Sequence, residues 1–291
     1  MEQHSHLQSI GFIGAGRVGT TLALALTNAG YPVTAVHSRS ADSTHRFTEH
    51  IPSAKPYTDP QSVADGASII FITTPDDAIA DVAQSVRWQP GQTVVHCSGV
   101  LSADIMGSAK LAGASVAGFH PLQSFPTIES GADRLSGCTI ALEGDDAVVE
   151  QLKALAVAIG GNPLRLQADQ KALYHLAATF ASNYMVTITD IAAELWSTFG
   201  VDKRTAVAAI TPLMQGTLDN IATIGLPDCL TGPIARGDTG TIRLHLNTLA
   251  VEAPHLLPAY RTLGLRTLPI AEAKGGLNEM QWSEMVALLA G

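Results

Sequence analysis

Two histidine-bearing segments and one lysine-led helix hold the residues best suited to moving a proton. His96-Cys97-Ser98-Gly99 and Gly118-Phe119-His120-Pro121-Leu122-Gln123 each follow an apolar, β-branched run, so each falls where a strand should end. A histidine just beyond a strand end, with an unperturbed pKa of about 6.5, can exchange a proton with a substrate oxygen or nitrogen near neutral pH. His120 is that residue here, and Ser98 can hydrogen-bond the same substrate. Further along, Lys171, His175, Thr179 and Ser182 are spaced four, four and three apart. That spacing puts them on one stripe of an otherwise apolar helix. A polar stripe on a buried helix is costly unless it lines a cavity or is hydrogen-bonded throughout. Lys171 and His175 are thus candidates for proton transfer or substrate anchoring, with Asn183 beside them. A dimer-interface network explains the stripe equally well. Arg236 either forks onto a substrate carboxylate or pairs with Asp238.

A second constellation lies near the start. Gly14-Ala15-Gly16-Arg17-Val18-Gly19 follows the apolar run Ile10–Ile13 and opens a helical pattern that ends at Gly30. This is the strand-to-helix context that a GxGxxG motif needs to bind a dinucleotide. Gly14 permits the tight turn, Gly16 lets backbone approach a pyrophosphate, and Gly19 lets helix pack on strand. Unpaired N–H groups at the helix start face the phosphates. The next strand ends at His37-Ser38-Arg39-Ser40, about 20 residues past Gly19, where NAD sites carry an acid for the ribose. No Asp or Glu stands between Gly30 and Ala41, and Arg39 is flanked by Ser38 and Ser40. That pattern favours a 2′-phosphate, hence NADP(H). Thr73-Thr74-Pro75, closing another strand, should border the ribose and nicotinamide.

Positioning these groups requires an α/β scaffold. Candidate strands are Ser9–Ile13, Val33–His37, Ile69–Thr73, Thr93–Cys97, Ser115–Phe119, Thr139–Leu142 and Leu164–Leu166, alternating with helical patterns. Most strands are continuously apolar, as in a sheet covered on both faces. The expected fold is a doubly wound, mainly parallel Rossmann domain over residues 1–166. From residue 167 to 291 strand signals vanish and the domain reads as all-α, led by one long helix, Lys171–Phe199. That helix, about 43 Å at 1.5 Å per residue, suggests a homodimer formed through the helical domain.

Composition narrows the field. The 291 residues carry a formal charge of −9 and no long basic run, which argues against a nucleic-acid partner. No apolar stretch is long enough to span a membrane. The first residues are polar, without a signal core, and the cytoplasm is the expected location. Cys97, Cys138 and Cys229 fit no metal spacing, and no metal site is expected at His4 and His6.

Taken together, the Gly11–Gly19 segment, the Ser98-Gly99 turn, Phe119-His120-Pro121 and the Lys171–Asn183 helix resemble the 6-phosphogluconate dehydrogenase-like superfamily. Within it the chain is similar to a group of Rossmann-like NADP oxidoreductases with a helical C-terminal domain of unknown function. The resemblance spans nearly the whole chain and implies a fold and a cofactor class. Prephenate dehydrogenases carry a serine-containing turn and then a His-Pro segment whose histidine is catalytic. By that similarity His120 is the catalytic candidate and Ser98 its neighbour, although Leu122-Gln123-Ser124-Phe125 replaces the glycine-containing sequence of that family. β-Hydroxyacid dehydrogenases carry a catalytic Lys followed four residues later by Asn; Lys171 matches, and His175 stands at the Asn position. The expected function is NADP(H)-dependent hydride transfer to or from a small carbonyl, hydroxy or imine compound, carboxylate-bearing, with His120 and Lys171 exchanging the proton. The alternative is a redox sensor that binds NADP(H) without turnover.

Overall fold

A computed structural model describes residues 8–291, so His4 and His6 lie outside the described part. Eight strands form one sheet: β1 (Ile10–Ile13), β2 (Val33–His37), β3 (Lys55–Tyr57), β4 (Ile69–Ile72), β5 (Thr93–His96), β6 (Ser115–Pro121), β7 (Thr139–Gly144) and β8 (Asn162–Arg165). Their order is β3-β2-β1-β4-β5-β6-β7-β8. Every pairing is parallel except β6 with β7. Helices α1 (Arg17–Asn28), α2 (Ala41–His50), α3 (Pro60–Asp65), α4 (Ile79–Ser85), α5 (Gly107–Leu111), α6 (Glu129–Asp133) and α7 (Asp146–Ala158) fill the connections.

The continuous apolar runs make sense in this setting. Side chains alternate across a strand, so Phe12 and Ile13 join different core clusters, one on each face. Phe12 stacks on Phe71 at 5.2 Å between ring centroids, and Phe71 meets Phe119 edge-on at 5.6 Å. The doubly wound sheet expected from the pattern is therefore present. Two features were not legible. The segment Lys55–Tyr57 is a short edge strand with Pro56 inside it, a placement proline tolerates only at a sheet edge. In addition, β6 runs two residues beyond the expected Phe119, because antiparallel β7 continues to pair where parallel β5 has stopped. His120 is therefore inside a strand, opposite Ala141, and not beyond its end.

Backbone contacts divide the chain into two compact units, meeting between Ser182 and Asn183. The expected single helix over 171–199 is helical as far as Ser197 but not uniform. It starts from a capping box made by Gln167 and Gln170, runs as α8 (Lys171–Ala178), widens to a π turn over Thr179–Asn183, and resumes as α9 (Tyr184–Ser197). The second unit continues with α10 (Lys203–Thr223), α11 (Thr239–Glu252), α12 (Leu257–Ala273) and α13 (Glu279–Ala290). Its core gathers Ile242, Leu246, Leu268, Met285 and Leu289. Helix α12 carries Pro269 within it. Among the described residues no helix is long and apolar enough to cross a membrane.

Candidate active site

The nucleotide end of the site is shaped by what glycine lacks. Gly14 has φ +114°, and a Cβ there would stand 2.6 Å from the Thr73 carbonyl carbon. A Cβ on Gly19 would meet the Thr73 hydroxyl at 2.4 Å and the Gly14 carbonyl at 2.6 Å. Thr73 in turn donates its hydroxyl to the Gly14 carbonyl at 2.7 Å, fastening the loop to β4. At Gly16 a Cβ would meet nothing within 4 Å, so the space above the loop is open. Gly16 is also the N-cap of α1 and offers no side chain to its amides. Those N–H groups, with the helix dipole behind them, suit an anionic ligand. Ala15 is buried and Val18 packs on the core. Arg17 is exposed and donates to the Pro126 carbonyl at 3.2 Å.

Beside the loop, a cavity of about 370 Å³ is lined by residues at the ends of β1, β2 and β4, including Ser38, Arg39, Thr74 and Pro75. Arg39 is exposed, with no carboxylate paired to it among the described residues. Ser40 caps α2 by accepting the Ser43 amide at 3.2 Å, and its own amide donates to Ser38 Oγ at 3.4 Å. These features fit a phosphorylated dinucleotide: open backbone donors and a cation at the second strand end with no carboxylate paired to it, although Asp81 also lines the cavity.

The β5–β7 end is built from enclosed charge. Lys171 Nζ lies 3.4 Å from Glu143 Oε2 and donates to the Ser98 carbonyl at 3.0 Å. Lys171 is only 3% exposed and Glu143 only 7%. Glu143 sits across the strand pair from Gly118, and a Cβ on Gly118 would come within 2.9 Å of that ammonium. His120 Nδ1 hydrogen-bonds Tyr174 Oη at 2.9 Å, with the rings edge-on. On the other side of His120 lies Gly99, where a Cβ would stand 2.8 Å from His120 Nε2 and 2.7 Å from His175 Cδ2. Glycine at 99 thus lets both imidazoles close on the turn. Ser98 is buried and its hydroxyl is fully occupied: it donates to Asp76 Oδ2 at 2.8 Å and accepts the amides of Val100 and Leu101 at 3.3 and 3.1 Å. Its role here is to lock the turn.

Electrostatics revise one expectation. His120 does not titrate near neutrality. Burial, then the nearby Lys171 and His175, push it down to about 4, so it is a neutral imidazole at pH 7. His96 is fully buried and pushed down to about 3 by desolvation and Lys171. Its Nδ1 accepts the Ser98 amide at 3.1 Å, which places the proton on Nε2. Burial also lowers Lys171, while Glu143 opposes that shift. The Cys97 thiol is raised to about 12 by burial and is no nucleophile.

Ser98, His120, Lys171 and His175 are therefore brought together within the first unit. Asn183 is exposed, at the end of the π turn, and begins the second unit. Arg236 also belongs to the second unit. There Asp238 caps α11 through Thr241, and Arg236 adds to the lowering of its carboxyl. Sequence reading missed Glu143 and Tyr174 as members of the site, and named His96 and Gly118 only as parts of the two strand-end segments. Glu143 had one available signal, an acid closing an otherwise apolar strand.

With this geometry in view, residues 2–121 match the Rossmann-like domain family. Residues 138–267 match a domain of unknown function, DUF2520. His120 and Ser98 come from the first match, and Glu143, Lys171, Tyr174 and His175 from the second. Among solved structures, the protein TM1727 of Thermotoga maritima is similar at 26% identity and TM-score 0.73, over 91% of this chain and 99% of that one. The putative NADP oxidoreductase BF3122 of Bacteroides fragilis is similar at 24% identity and TM-score 0.71, over 90% and 98%. A pyrroline carboxylate reductase of Plasmodium falciparum with NADP bound shares the fold at 12% identity and TM-score 0.58, over 97% and 98%. No curated protein matches.

Proposed function

We propose that the protein is an NADP(H)-dependent oxidoreductase acting on a small carbonyl, hydroxy or imine compound that bears a carboxylate. The buried Lys171–Glu143 pair beside His120 carries this reading. An enclosed ion pair is weak support for a fold, so chemistry at the carboxyl edge of the sheet is the better explanation. The likeness to BF3122 and to the NADP-bound reductase supports the same class.

Backbone from Gly14 to Gly19 would hold the pyrophosphate, and Ser38, Arg39 and Ser40 the 2′-phosphate. NADPH bound there would supply the hydride. Neutral His120 faces the Gly99 side through Nε2 and would hydrogen-bond the reacting oxygen or nitrogen, with Tyr174 holding the other ring nitrogen. A neutral imidazole can polarise a carbonyl without carrying charge itself. Lys171 is the group left to provide positive charge, and the proton, at neutral pH. Lys171 is the charged base of this cluster, and the carboxylates of Glu143 and Asp76 both favour its ammonium form. A self-association role for the second unit fits the exposed Val186, Leu213, Ile224 and Leu226.

The test is a spectrophotometric screen of NADPH oxidation across keto acids and cyclic imines. Turnover with a carboxylate-bearing member and little with its methyl ester is the expected result. Tight NADPH binding without turnover on any class would instead favour the sensor reading.

A further inference from the structure

The carboxylate of Glu143 is held more firmly than a counterion needs. Ser102 Oγ donates to its Oε1 at 2.8 Å, and the Ala103 amide donates to both oxygens at 3.0 Å. A group anchored from two residues cannot swing aside, and Oε2 stays turned toward Lys171 Nζ. The seat is completed by Gly118, since any side chain there would fill the space taken by the ammonium. Gly118 and His120 are two apart in β6 and share one face; Glu143 and Ala141 stand opposite them in β7. The ammonium therefore sits one pleat below His120.

We propose that Glu143 is the positioning residue of this site: it holds the Lys171 side chain as an ammonium on the Ser98 carbonyl, directly beneath His120. This rests on the oxidoreductase reading for its consequence, but not for its geometry. Burial draws the proton off Lys171, and Glu143 is the foremost opposing influence, ahead of Cys97 and Asp76. The remaining titratable groups around it are His96 on β5 and His120 on β6, each of which Lys171 depresses. Tyr174 and His175 lie beyond, on its own helix, against His120. Without Glu143 the burial effect prevails, the amine discharges at lower pH, and the substrate oxygen loses the positive charge below it.

The experiment uses the full chain without substrate. The Lys171 side-chain resonance, assigned by its loss in Lys171→Met, is followed by NMR through a pH titration. In Glu143→Gln its midpoint should fall by about one unit or more, the usual reach of an opposite charge at this range. Glu143→Asp should recover part of that fall. An unchanged midpoint in Glu143→Gln overturns the proposal, as does a loss of stability with no titration shift. If Glu143→Gln does not fold, Ser102→Ala removes one anchor and should lower the midpoint less but in the same direction; no change there overturns it too. In turnover assays the alkaline limb of kcat/KM should move to lower pH in step with the NMR midpoint. A shifted midpoint in a protein without turnover on any substrate would sink the oxidoreductase reading and leave the positioning role standing.

Discussion

Along one edge of the sheet, the end made by β1, β2 and β4 and the end made by β5, β6 and β7 work by opposite means. The first is backbone laid bare: glycines without side chains, a helix start without a cap, an arginine without a carboxylate partner. The second is side chains shut in: Lys171, Glu143 and His96 are buried, with His120 half-buried beside them. Water screens the first end, so its contributions stay modest and separable. At the second end each charge alters its neighbours' protonation, and substitutions there should be large and coupled.

The largest expected effect tests that separation directly. His120→Gln should cut turnover by about 10²–10³-fold, the loss of one polarising hydrogen-bond donor, while NADPH affinity stays within a few-fold. An equal loss of NADPH affinity, measured by fluorescence titration, would mean that the two ends are not independent. Next, Lys171→Met leaves Glu143 enclosed without its cation and should lower the unfolding free energy by about 3–5 kcal/mol in urea melts. The exposed Arg243–Glu284 pair, at 3.1 Å in the second unit, is the control. Arg243→Ala should change stability by less than about 1 kcal/mol. Similar values for the two would remove the argument that enclosure matters. At the nucleotide end, Arg39→Ala should reduce the preference for NADPH over NADH by about ten- to a hundred-fold with stability unchanged, the worth of one charge-assisted contact of roughly 1.5–3 kcal/mol. Unaltered selectivity in the two cofactor titrations would assign Arg39 to the solvated surface.

The last expected effect is an acid limb. His96 and His120 have folded values of about 3 and about 4, below the unfolded value near 6.5. The unfolded chain therefore takes up protons first, and stability falls as pH drops from about 6.5 toward 4. The slope should reach about 1.4 kcal/mol per pH unit for each histidine. His96→Asn keeps an acceptor for the Ser98 amide and should remove about half of that slope in melts across the range. A slope identical to wild type would show that His96 is charged in the fold.

What could be read from the sequence follows from the same division. The Gly14–Gly19 loop is contiguous, and each glycine's reason lies within a few residues, so local spacing displayed it. Lys171 and His175 were visible because helical periodicity puts them on one stripe. Glu143 and Gly118 became partners only through an antiparallel pairing, which no local pattern announces. The continuous apolar runs identified the sheet, yet they concealed where β6 ends. As a result His120 was expected in an open turn with ordinary titration, whereas strand pairing holds it among Lys171, Tyr174 and His175. Enclosure, a property of the assembled sheet, moved its pKa.

The reversal of β7 has a consequence for depth. In a sheet with every strand aligned, an acid near the end of a strand emerges at the rim where ligands bind, and would repel an incoming anion. β7 runs the other way, so its first residues reach the rim beside Pro121, and Glu143, near its end, lies level with Gly118. One change of strand direction thus keeps the negative charge on the floor of the site and the imidazole at its mouth. That arrangement is set by chain topology before any ligand arrives.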